Sequence, residues 1–113
     1  MKIEKFHVYL ADLNPQRGTE PGKIRPVVVI QTNLLNNIHS STLICPLTTK
    51  VVKGAHLLRV HLTQKESGLP HDSDILVDQA RAIDNQRFIK PIGKLAPHHQ
   101  EKLLENLRVL ILE

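Results

Sequence analysis

Pro26-Val27-Val28-Val29-Ile30 is an unbroken apolar run that contains three consecutive valines. β-branched side chains are stiff about χ1 and sit well on a pleated surface. A short run with no polar alternation reads as a strand buried on both faces. Upstream, His7–Leu13 carries Val8, Tyr9 and Leu10 and reads as a second strand. The segment between them opens with Asn14-Pro15 and holds Gly18, Pro21 and Gly22, which mark a loop. Downstream, Ser41–Leu47 predicts a further strand, with Pro46 near its end, where a bulge or an edge position is expected. Ala55–Leu62 predicts a fourth strand and Ile75–Ile83 another, separated by a turn over Ser67–Ser73.

Helical spacing is confined to the C-terminus. Pro97 suits a first helical turn, where its missing N–H has no partner to lose. Leu103, Leu104, Leu107, Leu110 and Ile111 then follow the i, i+1, i+4, i+7, i+8 spacing of one apolar face. Val109 and Leu112 widen that face beyond a core-facing stripe, which points to a subunit contact. Strands first and one helix last predict a mainly β fold, an antiparallel barrel or twisted sheet with a C-terminal helix packed on it. A chain of 113 residues with no linker or repeat is expected to be a single domain, 1–113.

Composition narrows the chemistry. Phe6, Tyr9 and Phe88 are the only aromatic residues, so the core must be aliphatic. The same scarcity disfavours nucleic-acid binding through stacked aromatic platforms. Cys45 is the single cysteine, which excludes an internal disulfide and a thiolate zinc site. The N-terminus lacks an apolar signal region, and no apolar stretch approaches the roughly 20 residues that span a bilayer, so a soluble cytoplasmic protein is expected. There is no GxxxxGK phosphate loop, no HExxH and no GxSxG elbow. The histidines are scattered. His98 and His99, adjacent on a helix, would point about 100° apart and not share a metal. His56 and His61 would occupy opposite faces of a strand. No metal and no cofactor are expected.

The net charge of +4 is uneven. Residues 1–60 carry eight Lys/Arg against three Asp/Glu, and residues 61–113 carry seven against eight. Between Asn14 and Lys53 the only acid is Glu20, among Arg17, Lys23, Arg25, Lys50 and Lys53. A basic segment of this kind suits phosphates or an acidic partner. Within it, Pro26 restricts Arg25 to extended backbone, and a guanidinium presents a planar fork of donors that matches phosphate oxygens. Cys45-Pro46-Leu47-Thr48-Thr49-Lys50 ends a strand in two hydroxyls and a cation; taken alone, Thr48 reads either as a donor to such an oxygen or as an ordinary strand or turn residue.

These segments together resemble the MazF/PemK toxin family. Val8-Tyr9-Leu10-Ala11-Asp12-Leu13-Asn14-Pro15, Gly18-Thr19-Glu20 and Arg25-Pro26-Val27-Val28-Val29-Ile30 look like its opening. Cys45-Pro46-Leu47-Thr48 is similar to its third strand. Ser67-Gly68-Leu69 with Asp72-Ser73, then Val77-Asp78-Gln79-Ala80-Arg81-Ala82-Ile83-Asp84 and Ile92-Gly93-Lys94-Leu95, complete the likeness over nearly the whole chain. The resemblance implies an SH3-like β-barrel and a homodimer that builds its RNA site across the interface. It also implies metal-independent cleavage of single-stranded RNA at short sequences, and restraint by an acidic antitoxin. The family's catalytic arginine falls on Arg25 and its catalytic threonine on Thr48. Arg17, Gly18, Thr19, Glu20, Lys23, Thr49, Lys50, Gln79 and Arg81 are then the expected RNA contacts. Two departures stand out. Phe6-His7 replaces a common Gly-Asp, and Pro21 replaces a common Gln, which would reshape the loop and the RNA preference. His7 and His71 are the candidate proton acceptors, although neither falls on a family catalytic position. Two other readings are a gyrase-poisoning toxin of the CcdB kind, built on the same barrel, and a non-catalytic nucleic-acid-binding module. The Arg25/Thr48 pair distinguishes the ribonuclease from both.

Overall fold

The computed structural model describes residues 1–15, 18–19 and 23–113. Its strands are β1 (His7–Asp12), β2 (Ile24–Val29), β3 (Ser41–Thr48), β4 (Arg59–Leu62), β5 (Ser73–Leu76), β6 (Arg81–Asp84) and β7 (Phe88–Lys94). A one-turn helix α1 (Gln64–Ser67) follows β4, and α2 (Pro97–Leu112) ends the chain. The sheet order is β4-β5-β3-β2-β1-β7, with β6 pairing the first half of β3. Every pairing is antiparallel. The mainly β architecture with a C-terminal helix is thus the one expected. The barrel is open, because β4 and β7 end the strand order.

The valine run behaves as its composition demands. Val27, Val28 and Val29 are fully buried, and they alternate between two cores. Val28 joins Val8, Cys45, Leu47, Ile75 and Leu103 under α2. Val27 and Val29 join Tyr9, Ala11, Leu13, Ile44 and Phe88 on the other face. Period-2 alternation is what sends neighbouring valines to opposite sides. Tyr9 meets Phe88 edge-on at 5.3 Å between ring centroids, while its hydroxyl donates to the Lys2 carbonyl and accepts from the Glu4 N–H.

The structure refines the sequence reading at four points. Pro46 faces Val27 of β2 at the point where the other flank of β3 passes from β6 to β5, so it is a local edge on that flank although β3 is interior to the sheet. With no ladder on that flank, a missing N–H is tolerated there. Only Arg59–Leu62 of the expected Ala55–Leu62 strand is extended as a strand. The expected Ile75–Ile83 strand is broken by a 3₁₀ turn over Val77–Gln79, which lets its two halves pair with different parts of β3. Finally, β7 was not anticipated. Its single buried residue is Phe88, and its pairing with β1 is interrupted by register shifts.

Helix α2 begins at Pro97 as expected, but the face it buries is not the leucine face alone. His99, Leu103 and Asn106 are the buried residues. Asn106 Nδ2 donates to the carbonyls of His56 (3.0 Å) and Arg59 (3.4 Å), satisfying backbone groups ahead of β4. Leu104, Leu110, Ile111 and Leu112 remain exposed. No described helix is long and apolar enough to cross a membrane.

Candidate active site

Arg25 lies near the start of β2 and Thr48 at the end of β3. Val27 pairs with Pro46, and continuing that register by two residues sets Arg25 opposite Thr48. Thr48 in turn pairs with Asp74 of β5, and Asp74 with His61 of β4. The ladders thus align Thr48, Asp74 and His61 in one row across three strands, and Arg25 lies on β2 two residues beyond the last β2–β3 pair. Arg25 Nη1 donates to the Leu47 carbonyl at 3.4 Å, which holds the guanidinium against the end of β3. Thr48 Oγ1 accepts from the Lys50 N–H at 3.2 Å, leaving its own hydrogen to donate elsewhere.

A cleft of about 320 Å³ opens over this pair, lined by Lys23, Ile24, Arg25, Pro26, Leu47, Thr48, Thr49, Lys50 and Ser73. Three cations and three hydroxyls line it, and among the described residues none that lines it is acidic. Lys23 is held in a left-handed backbone conformation (φ 66°) because its N–H donates to Asn14 Oδ1 at 2.7 Å and its carbonyl accepts from the Leu13 N–H. Arg87 Nη1 donates to the carbonyls of Asp12 (2.9 Å) and Asn14 (2.6 Å), fixing the other side of the same loop.

The turn after Thr48 is fastened from beneath. Asp74 is fully buried, and its Oδ2 accepts from the Val52 N–H (3.0 Å) and from Arg59 Nη1 (2.9 Å). Arg59 Nη1 also donates to the Lys50 carbonyl at 2.8 Å. Burial by itself would raise the Asp74 carboxyl, but the Val52 N–H, Arg59 and His61 outweigh it and hold the group below its ordinary value. Asp74 and Arg59 were not recognised in the sequence as site residues. The available signal was an aspartate inside the otherwise apolar end of Ser73-Asp74-Ile75-Leu76.

Of the expected site residues, the structure therefore brings together Arg25, Thr48, Lys23, Thr49 and Lys50. Gly18 and Thr19 are exposed in the loop and do not line the cleft, while Arg17, Glu20 and Pro21 lie outside the described residues. Gln79, in the 3₁₀ turn, and Arg81, paired with Ile44 on the β6 side of β3, also lie away from it. His71 lines an adjoining cavity that shares Pro26, Thr49 and Ser73 with the cleft. His7 instead faces Glu4 at 3.4 Å.

Two histidine expectations are overturned. His56 is outside β4 and its ring meets His61 edge-on, with centroids 5.7 Å apart. The rings of His98 and His99 approach to 4.0 Å rather than diverging, and one ligating atom from each lies within 4.8 Å of a Glu66 oxygen. Directions of 100° describe Cα–Cβ bonds. Rotation beyond Cβ is free to bring the rings back together.

A cleft lined by cations and hydroxyls at the end of a small β-sheet has the chemistry to hold phosphate oxygens. Residues 4–111 match the family described as PemK-like, MazF-like toxin of type II toxin-antitoxin system, and the chain belongs to that family. It is 34% identical over 109 residues to Endoribonuclease EndoA of Bacillus subtilis (strain 168), covering 96% of this chain and 94% of that one. Among solved structures, MazF from Deinococcus radiodurans superposes with a TM-score of 0.84 at 20% identity, over 100% of this chain and 99% of that one. A mycobacterial endoribonuclease in complex with its cognate antitoxin gives 0.70 at 16% identity, over 93% and 88%. Both structures share the fold. The family resemblance seen in the sequence motifs is thereby established.

Proposed function

We propose that this chain is the toxin of a type II toxin–antitoxin pair and acts as a metal-independent endoribonuclease on single-stranded RNA, cutting at a preferred short sequence. The observation that carries this reading is the convergence of Arg25 and Thr48 in a cleft that they line together with Lys23 and Lys50. The name of the B. subtilis relative agrees with it.

In the proposed reaction the ribose 2′-oxygen attacks the adjacent phosphorus and the bond from phosphorus to the 5′-oxygen breaks. The products are a 2′,3′-cyclic phosphate and a 5′-hydroxyl. One proton leaves the 2′-hydroxyl and one reaches the departing 5′-oxygen. Negative charge builds on the non-bridging oxygens in between. Arg25 stabilises that charge, and Thr48 directs a hydrogen bond to it, as preorganised donors do in a partly dehydrated site. An arginine with a pKa near 12.5 or above is a poor proton acceptor. Between the two candidate histidines, His71 adjoins the cleft, and we assign it the proton transfer. Lys23, Thr49 and Lys50 hold the flanking phosphates.

We further infer a homodimer, built with the exposed leucine-rich end of α2, and an acidic antitoxin that covers the basic cleft. A mycobacterial neighbour of the same fold is an endoribonuclease in complex with its cognate antitoxin, which supports the antitoxin part of this reading. The cleavage reading is tested by incubating the protein with mixed-sequence single-stranded RNA in EDTA and mapping the ends. Discrete cuts bearing cyclic phosphate and 5′-hydroxyl are expected. Ends of the opposite kind, or cuts only when a divalent metal is added, would refute it.

A further inference from the structure

Glu66 stands in the single turn of α1, and His98 and His99 stand in the first turn of α2, 32 residues further along the chain. None of the three lines the Arg25 cleft. One ligating atom from each residue falls in a cluster no more than 4.8 Å across. We propose that Glu66, His98 and His99 form a binding site for a divalent transition metal of the zinc class, which staples α1 to the start of α2.

The carboxylate is already oriented. Thr63, the N-cap of α1, accepts from the Glu66 N–H at 3.2 Å and donates its hydroxyl to Glu66 Oε1 at 2.8 Å. That leaves Oε2, which lies 3.1 Å from His98 Nε2. A hydrogen bond that fixes one oxygen of a ligating carboxylate while the other faces the metal is the usual supporting arrangement. Two imidazoles and one carboxylate make a ligand set that zinc accepts, with a fourth position left for water.

The second observation concerns His99. Its residue is only 6% exposed, yet its Nδ1 is buried with no hydrogen-bond partner. Buried polar atoms are nearly always satisfied, so an orphan nitrogen in a cluster of metal-ligating groups calls for a partner the chain itself does not supply. With metal–ligand bonds of about 2.0–2.2 Å, ligand atoms around a tetrahedral zinc sit about 3.4 Å apart. The Glu66–His98 distance already meets that spacing. His99 is fixed by burial and Glu66 by Thr63, whereas the His98 side chain is 62% exposed and has room to adjust. One term opposes the site: the N-terminal end of α2 disfavours a cation, and the Glu66 charge offsets it.

Metal-free, untagged full-length protein is titrated with zinc by calorimetry and with cobalt by visible spectroscopy. The expected result is one ion per chain, a low-symmetry cobalt spectrum and a higher melting temperature with zinc. Glu66→Gln and His98→Ala, both at exposed positions, are each expected to weaken binding about ten-fold or more and to abolish the melting shift. Circular dichroism confirms that they are folded. Absence of stoichiometric binding by the wild-type chain would overturn the proposal and leave an ordinary His98–Glu66 ion pair. So would unaltered binding and an unaltered melting shift in both variants, since the ion would then sit on other histidines.

Discussion

His61 Nδ1 lies 2.6 Å from Asp74 Oδ1, and the carboxylate it meets is fully buried beneath the turn that follows Thr48. The same aspartate accepts from Arg59 and from the Val52 N–H, so a single side chain ties β4 and the 49–52 turn to β5. Removing one partner from a buried charged network leaves the others unpaired, which costs more than the network itself contributes. Asp74→Ala is therefore expected to destabilise the fold by about 3 kcal/mol, at the low end because Arg59 and His61 reach solvent. Urea denaturation measures this. A loss below about 1 kcal/mol would show that the turn is held by other means.

The same carboxylate sets an acid limit. Its folded-state pKa is below the ordinary value, so the unfolded chain binds its proton first as pH falls. Its stabilising contribution is complete above the unfolded value of about 3.9 and drains away as pH drops through the lower folded-state value. Denaturation midpoints recorded from pH 6 to pH 2.5 should fall below about pH 4, and Asp74→Asn should flatten that part of the curve. An identical acid slope in the variant would assign the effect to other carboxylates.

Lys50 is exposed at the rim of the cleft. If it neutralises one RNA phosphate, Lys50→Ala should lower the slope of log affinity against log salt by about 0.7 on single-stranded RNA. Fluorescence anisotropy of a non-cleavable oligonucleotide at several salt concentrations reads this directly. An unchanged slope would place Lys50 outside the bound strand's path.

Leu103 is fully buried, whereas Ile111 and Leu112 are 68% and 76% exposed on the same helix. Leu103→Ala should cost about 2–5 kcal/mol through lost burial and a cavity. If the proposed dimer is built on those exposed side chains, Ile111→Asp with Leu112→Asp should leave a folded monomer, because neither belongs to the core. Light scattering after gel filtration distinguishes the two cases. A doubly substituted chain that remains dimeric would place the interface elsewhere.

What the sequence revealed and what it concealed follow from where the stabilising contacts lie. Val27–Val29 and Pro97 were legible because local stereochemistry decides them, β-branching in one case and a fixed φ with no N–H in the other. Arg25 and Thr48 were legible as motif residues, and their meeting follows from the β2–β3 register. Strand β7 was hidden because Lys90, Pro91 and Gly93 erase its alternation, and its extended form is imposed by β1. The burial of His99 and Asn106 was hidden for a related reason. Asn106 is buried because it satisfies the carbonyls of His56 and Arg59, partners 50 and 47 residues away that no helical period discloses. Asp74 was missed because a carboxylate reads as surface until Arg59 and His61 are seen beside it.

The central claim is that Arg25 and Thr48 act together on the RNA backbone, and comparison of Arg25→Ala with the wild-type protein on one mixed-sequence RNA in EDTA tests it most directly. Loss of a preorganised donor of this kind slows catalysis about 10²–10³-fold. The account predicts a variant with an unchanged circular dichroism spectrum and cleavage reduced to that extent. A folded Arg25→Ala protein that cuts the same sites at the wild-type rate would contradict it.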